Sequence, residues 1–149
     1  MLRVLAIAAA VCALRCSSNP PVQDAGPTCP AQTGTGTSHD KTISADETWK
    51  AVDGPHHVKF SIAVSSGATL TIEPCSEVRL DKDTFVTISG GLVAEGTESK
   101  PITLVAEDTA QPWGALQVSA PGTLKLAYAT VSGGGQTSGN SYGMIEARG

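Results

Sequence analysis

The sequence predicts an all-β chain wound as a solenoid, and three observations carry that prediction. Apolar residues recur as triplets around a polar residue: Leu70-Thr71-Ile72, Val78-Arg79-Leu80 and Val86-Thr87-Ile88 start eight residues apart, and Ile102-Thr103-Leu104 starts sixteen later. This alternation is the period of a short strand with one buried face. Hairpin signals are missing: Asn-Gly does not occur, and the single Asp-Gly, Asp53-Gly54, precedes most of the triplets. An antiparallel sandwich would show such turns every 8 to 12 residues. Three strands at this step give a longer period of about 24 residues, which lies in the range of stacked-coil proteins.

Composition agrees with one regular β domain. The 149 residues include 16 glycines, only 16% charged and 4% aromatic residues, with no sign of a second core. The net charge is −4, and a chain beginning at Cys16 keeps eight basic against fourteen acidic residues. Nucleic acid is excluded as a partner, because phosphate binding needs a basic patch.

Residues 1–15 read as an export signal of the lipoprotein type. Arg3 precedes an apolar run from Val4 to Leu14 that is too short to span a bilayer, which takes roughly 20 residues. The switch to polar residues at Cys16-Ser17-Ser18 resembles a bacterial lipoprotein signal, in which the cysteine is lipidated. That family places a small residue before the cysteine, and Arg15 stands there instead. Cys12 is a second candidate, and a plain secretory signal cut after Ala13 is the alternative to lipidation. Residues 16–41 hold prolines, glycines and the Thr33-Gly34-Thr35-Gly36-Thr37 repeat without apolar periodicity. Such a stretch buries too little to offset its ordering entropy and is expected to be a disordered tether.

Residues 42–149 form the expected β domain. Ser44-Ala45-Asp46-Glu47 has a helix-starting form, yet Asp53-Gly54-Pro55 ends any helix within about two turns. An irregular or strand-like cap is therefore expected, with Trp49 covering the first turn of the core. His56-His57 face opposite ways on a strand, which argues against a shared metal. Further triplets are Val58-Lys59-Phe60, Ile62-Ala63-Val64, Leu116-Gln117-Val118 and Leu124-Lys125-Leu126. The first and third residues from Leu70 onward, with Leu92, are expected inside. Thr71, Arg79, Thr87, Thr103, Gln117 and Lys125 are expected in solvent. On the longer period, Gly67-Ala68-Thr69-Leu70 is echoed by Gly90-Gly91-Leu92, Gly122-Thr123-Leu124 and Gly143-Met144-Ile145. The intervals between Leu70, Leu92, Leu124 and Ile145 are 22, 32 and 21 residues. The long one implies an insertion of about ten residues around Glu107–Pro112. Ser132-Gly133-Gly134-Gly135 and Ser138-Gly139-Asn140-Ser141 read as a flexible loop between coils.

Gly67-Ala68-Thr69-Leu70-Thr71-Ile72-Glu73-Pro74, Gly91-Leu92-Val93-Ala94-Glu95-Gly96-Thr97, Pro101-Ile102-Thr103-Leu104, Trp113-Gly114 and the run Gly122 to Val131 together resemble right-handed parallel β-helix repeat proteins of bacterial surfaces. The resemblance implies a pectin-lyase-like fold of about four to five coils. It leaves activity open, since such proteins include adhesins and scaffolds as well as polysaccharide lyases and hydrolases. Two departures stand out. Cys75 follows Glu73-Pro74 where that family usually has glycine, so the local turn is expected to differ. Gly149 ends the chain just after a new strand, which reads as truncation at the C-terminus.

Chemistry is sparse. Asp81 and Asp83, two apart, project from one face of an extended backbone with Glu73 and Glu77 upstream, and paired carboxylates serve calcium or glycoside cleavage. Arg79 and Lys82 are near enough to act as the basic residue of a lyase. A solvated Asp81-Lys82-Asp83 turn is the simpler reading, and Glu107-Asp108 falls in the inserted loop. No nucleophile elbow, phosphate loop or Cys-x-x-Cys occurs, so no catalytic residue, resident metal or cofactor is assigned. Cys29 and Cys75 remain after the signal; in an oxidising compartment they form one bridge or stay as two thiols. The reading is an exported protein, lipid-anchored in the outer membrane or at the cell surface. It displays a non-catalytic β-helix for binding a polysaccharide or surface partner, or for structural and adhesive roles. The alternative is a polysaccharide lyase or glycoside hydrolase of the same fold.

Overall fold

The computed structural model describes residues 28–137, 139–141 and 143–148. It is an all-β solenoid of about four turns, with parallel sheets on three sides and almost no helix. The first coil runs from β1 (Thr37–His39) through Ile43, which makes an isolated parallel bridge to Val64, to β2 (Glu47–Trp49). The second holds β3 (His56–Val58), β4 (Ile62–Val64) and β5 (Thr69–Ile72); the third holds β6 (Glu77–Leu80), β7 (Val86–Ile88) and β8 (Gly91–Glu95). The fourth holds β9 (Ile102–Ala106), β10 (Leu116–Ser119) and β11 (Thr123–Ala127), and β12 (Ala129–Val131) starts the next. After a small antiparallel pair, β13 (Gln136–Thr137) and β14 (Asn140–Ser141), β15 (Ile145–Arg148) pairs with β10.

Each sheet collects one strand per coil. The orders are β1-β3-β6-β9-β12, β4-β7-β10-β15 and β2-β5-β8-β11. Apolar side chains in equivalent positions therefore stack along the axis. Leu70, Leu92 and Leu124 are in register, as are Val64, Ile88 and Val118, and Val78, Leu104 and Val131. Leu70, Ile72, Val78, Leu80, Val86, Ile88, Leu92, Ile102, Leu104 and Leu116 are all buried, each contributing about 1.5 to 3 kcal/mol by leaving water. Val118, Leu124 and Leu126 are partly buried and pack on this core from its last coil.

Glycine is required where the chain turns between the second and third sheets. A Cβ at Gly90 would lie 2.2 Å from the carbonyl oxygens of Ser65 and Ala68, and one at Gly122 would lie 2.1 Å from that of Ile88. The backbone of one coil thus rests directly on the next, which accounts for the glycine echo in the sequence.

Four expectations are corrected by this architecture. The domain begins earlier than residue 42: β1 lies within the stretch read as tether, and pairs with β3 through Thr37, Ser38 and His39. Backbone pairing with a preformed sheet supplies what the composition of that stretch lacks. Ile145 is in register with Leu116, in the sheet of Val86, and not with Leu124. The glycine run is no free loop, because Gly134 lies flat against the fully buried Trp113, whose indole N–H donates to Ser132 O at 2.9 Å. The backbone on either side is bonded too, Trp113 N–H to Gly133 O and Gly135 N–H to Gly114 O. Gln117 points outward yet is only 8% exposed, since β15 lies beside it and Glu146 accepts its amide N–H at 3.3 Å. Asp81-Lys82-Asp83 is a turn, in agreement with the simpler reading of that stretch: Asp83 adopts φ 58°.

The insertion falls where the fourth coil swings out between β9 and β10. Its tip is closed by a bridge between Asp108 and Gln111, and Asp108 Oδ1 accepts the Ala110 N–H at 2.9 Å. Trp49 caps the core from a strand as expected, 3% exposed and in register with Ile72.

Candidate functional site

The outward residues of the five-stranded sheet include a cluster of polar and charged side chains. Ser38, His57, Arg79 and Val105 form one row across β1, β3, β6 and β9. The residues just past the strand ends, Lys59, Asp81 and Glu107, follow the in-register set Val58, Leu80 and Ala106. Ser38 and His57 of the row, together with the strand ends, border a groove of about 290 Å³ lined by Thr35, Ser38, His57, Val58, Lys59, Asp81 and Glu107. That is near the small end of the range for ligand sites.

Ion pairs cross this surface from coil to coil. His57 Nδ1 lies 2.6 Å from Glu107 Oε2, and Arg79 Nη1 lies 3.8 Å from Glu107 Oε1. Arg79 Nε in turn donates to Glu77 Oε1 at 2.5 Å. Glu107 of the fourth coil thus reaches over the third to a histidine of the second. The inserted loop frees its first residue to do so.

The acids singled out in the sequence are dispersed. Asp81 is in the groove, where its Oδ1 accepts the Lys82 backbone N–H at 2.9 Å and its carbonyl accepts the Thr84 hydroxyl at 2.7 Å. These are turn-forming bonds. Asp83 sits in the turn, outside the groove lining. Glu77 is taken by Arg79. Glu73 lines a different cleft of about 660 Å³, beside Thr28, Pro30, Ala51, Val52, Pro74, Cys75 and Lys100. Cys75 forms a disulfide with Cys29, with Cα atoms 5.2 Å apart. Cys75 also has φ 72°, a left-handed conformation that ordinarily favours glycine. Cys16 lies outside the described residues.

The pairing of His57 with Glu107 was missed because His57 was weighed only as a metal ligand beside His56. The signal that would have found it is register: Lys59, Asp81 and Glu107 each directly follow an inward residue of the same ladder. Among the described residues no group of three or more His, Cys, Asp or Glu side chains could hold a metal ion. Ser38 stands next to His57 in register, but no hydrogen bond joins its hydroxyl to the ring among the described residues. A serine nucleophile needs that bond and an oxyanion hole as well. The arrangement offers charged and hydrogen-bonding groups for contact, with Glu107 bonded to His57 and Arg79, and Glu77 to Arg79.

A second cluster lies at the first coil, where Trp49 stacks on His39 with ring centroids 3.9 Å apart and on His56 at 5.3 Å. Burial pushes the His39 pKa down to about 4, and pushes His56 down as well. Among the described residues no helix is long and apolar enough to cross a membrane. Comparison with protein-family models, with curated proteins and with solved structures gives no match to this chain.

Proposed function

We propose that this is an exported envelope protein, lipid-anchored through Cys16, whose solenoid presents a non-catalytic surface for binding or structural and adhesive roles. One observation carries the non-catalytic part. The acids on the polar flank are engaged within the protein, Glu77 with Arg79, Glu107 with His57 and Arg79, and Asp81 Oδ1 with the Lys82 backbone N–H, and a general acid or base must instead be available to substrate. The surface that remains is a row of hydroxyl, imidazole and guanidinium groups from Ser38, His57 and Arg79, spaced by the distance between coils, about 4.8 Å, with the carboxylates of Asp81 and Glu107 beside it at the strand ends. Such a row suits an extended, hydroxyl-rich polymer lying along the axis. The anchor rests on the apolar run and the Cys16-Ser17-Ser18 switch, and the disulfide is in keeping with an oxidising compartment.

A second reading has its own observation. Asp81 and Glu107, from adjacent coils, converge on one groove with Lys59, as a polysaccharide lyase or glycoside hydrolase would require. Incubating the purified protein with acidic and neutral polysaccharides separates the two. The proposal expects retention on some polymer, lost in Arg79→Ala, with no new reducing ends or unsaturated products. Product release abolished by Asp81→Asn would overturn it in favour of the enzyme. Cell fractionation tests the anchor: Cys16→Ser should move the protein from membranes to the soluble fraction, and unchanged membrane binding would contradict lipidation at that residue.

A further inference from the structure

All three histidines of the chain sit on β1 and β3, at one end of the solenoid. Two of them, His39 and His56, are joined ring to ring, Nε2 of His39 to Nδ1 of His56 at 3.0 Å. The proton positions follow from the ends of the chain of bonds. Lys50 O can only accept, and it lies 3.0 Å from His56 Nε2, so that nitrogen carries the hydrogen. Neutral His56 then accepts at Nδ1, and His39 donates from Nε2. This leaves His39 Nδ1 bare, 3.6 Å from Glu47 Oε1, an oxygen already accepting the Trp49 indole N–H at 2.7 Å.

The relay is therefore fully directed and has room for one proton, at His39 Nδ1. A second proton, on His56 Nδ1, would set two N–H donors against each other and break the link between the strands. Solvent reaches the relay through a groove of about 220 Å³ lined by Ser38, His39, Asp40, Lys41, Thr42, Ile43 and Glu47. The charged groups around it are mixed. Glu47 and Asp40 favour a proton on His39, while His56, His57 and burial oppose it; Asp53 and Glu47 favour one on His56 against burial and His57. His57 is itself bonded to Glu107.

We propose that this His39–His56 relay, stacked on Trp49, is an acid-sensitive latch that holds β1 on the solenoid near neutral pH and releases it in acid while the inner coils stay wound. β1 is suited to local release. It ends its sheet and pairs with β3 alone, and its last residue supplies the relay's solvent-side ring. Its other ties are few: the Thr37 N–H to Pro55 O at 2.9 Å and the Thr37 hydroxyl to Asp53 O at 2.9 Å. Release would leave β3 with an open parallel edge able to accept another strand, while the Cys29–Cys75 bond keeps the freed segment attached for rewinding.

The sign follows from linkage. Folded His39 resists its proton until about pH 4, whereas a freed imidazole takes one near pH 6.5. The closed form is therefore fully favoured above that value and loses ground as pH falls toward the folded value. At pH 4.5 the released form gains about a hundredfold from His39 alone.

Amide exchange of the disulfide-intact protein, corrected for the intrinsic pH dependence of exchange, tests this. Between pH 7 and pH 4.5 the Thr37 amide should lose about a hundredfold in protection, and the Gly91 amide in the third coil should lose little. His39→Phe, which keeps a ring on Trp49 but cannot titrate, should remove the drop, and His57→Gln on the outer face should leave it. Equal loss at Thr37 and Gly91, no loss at either, or a drop that persists in His39→Phe would each overturn the latch. The comparison within the unaltered protein decides the matter even if the Phe variant does not fold.

Discussion

Ile88 is fully buried and Leu104 is 2% exposed, while Thr87 and Thr103, each one residue before them, face outward on the same strands. Burying an unpaired carboxylate costs several kcal/mol, comparable with the whole stability of a small domain. Ile88→Asp and Leu104→Asp are therefore expected to leave no cooperative unfolding transition in circular dichroism. Thr87→Asp should stay within about 0.5 kcal/mol of the parent, and Thr103→Lys should do at least as well, since its neighbour on β6 is Glu77. Trp113 gives a second case. A Cβ at Gly134 would come within 2.4 Å of the indole, and the ring is fully buried with its N–H bonded to Ser132 O. Gly134→Val should cost about 1 to 3 kcal/mol by overpacking, read as a lower denaturant midpoint with unchanged slope. A neutral Gly134→Val would mean that the glycine run is loose after all.

At the scale of the element, the disulfide joins Cys29, ahead of β1, to the turn between β5 and β6. It closes a loop spanning 46 residues in sequence, for which the chain-entropy model gives about 4 kcal/mol. Position 75 adds a backbone effect, because its φ of 72° costs a residue other than glycine about 1 kcal/mol. Cys29→Ala with Cys75→Gly should accordingly be more stable than Cys29→Ala with Cys75→Ala by about that amount, measured by urea unfolding. The reverse order would contradict the turn geometry. The elements also show what was legible in the sequence. A triplet such as Leu70-Thr71-Ile72 declares its own strand and its own buried face, because period-two alternation is local. Strand β1 was invisible, since Thr37, Ser38 and His39 carry no apolar alternation and owe their conformation to β3. Ile145 was assigned to the wrong sheet for a related reason: the hairpin of β13 and β14 intervenes, and spacing alone cannot see a side excursion.

For the whole molecule, the coil period was readable wherever coils carry no insertion, and the register of Leu70, Leu92 and Leu124 survived even the insertion between the last two. The polar flank was not readable. Arg79, Glu107 and His57 are 28 and 50 residues apart in sequence along their bonded pairs, and meet only because each coil returns the chain to the same side. Asp81 and Asp83 would share a face only on an extended backbone, and the left-handed residue in the turn that the sequence also suggested breaks that pairing. The function proposed above stands on this return of the chain, so the register between coils is the claim to test. Thr71 and Val93 are outward partners on neighbouring coils, with Cα atoms expected about 4.8 Å apart, within the span that a disulfide bridges. In a protein with Cys29 and Cys75 intact, Thr71→Cys with Val93→Cys should oxidise to a second bond, mapped by peptide mass spectrometry. Thr71→Cys with Thr87→Cys, on different sides of the coil, should not. Bonding in the second pair and none in the first would contradict the solenoid.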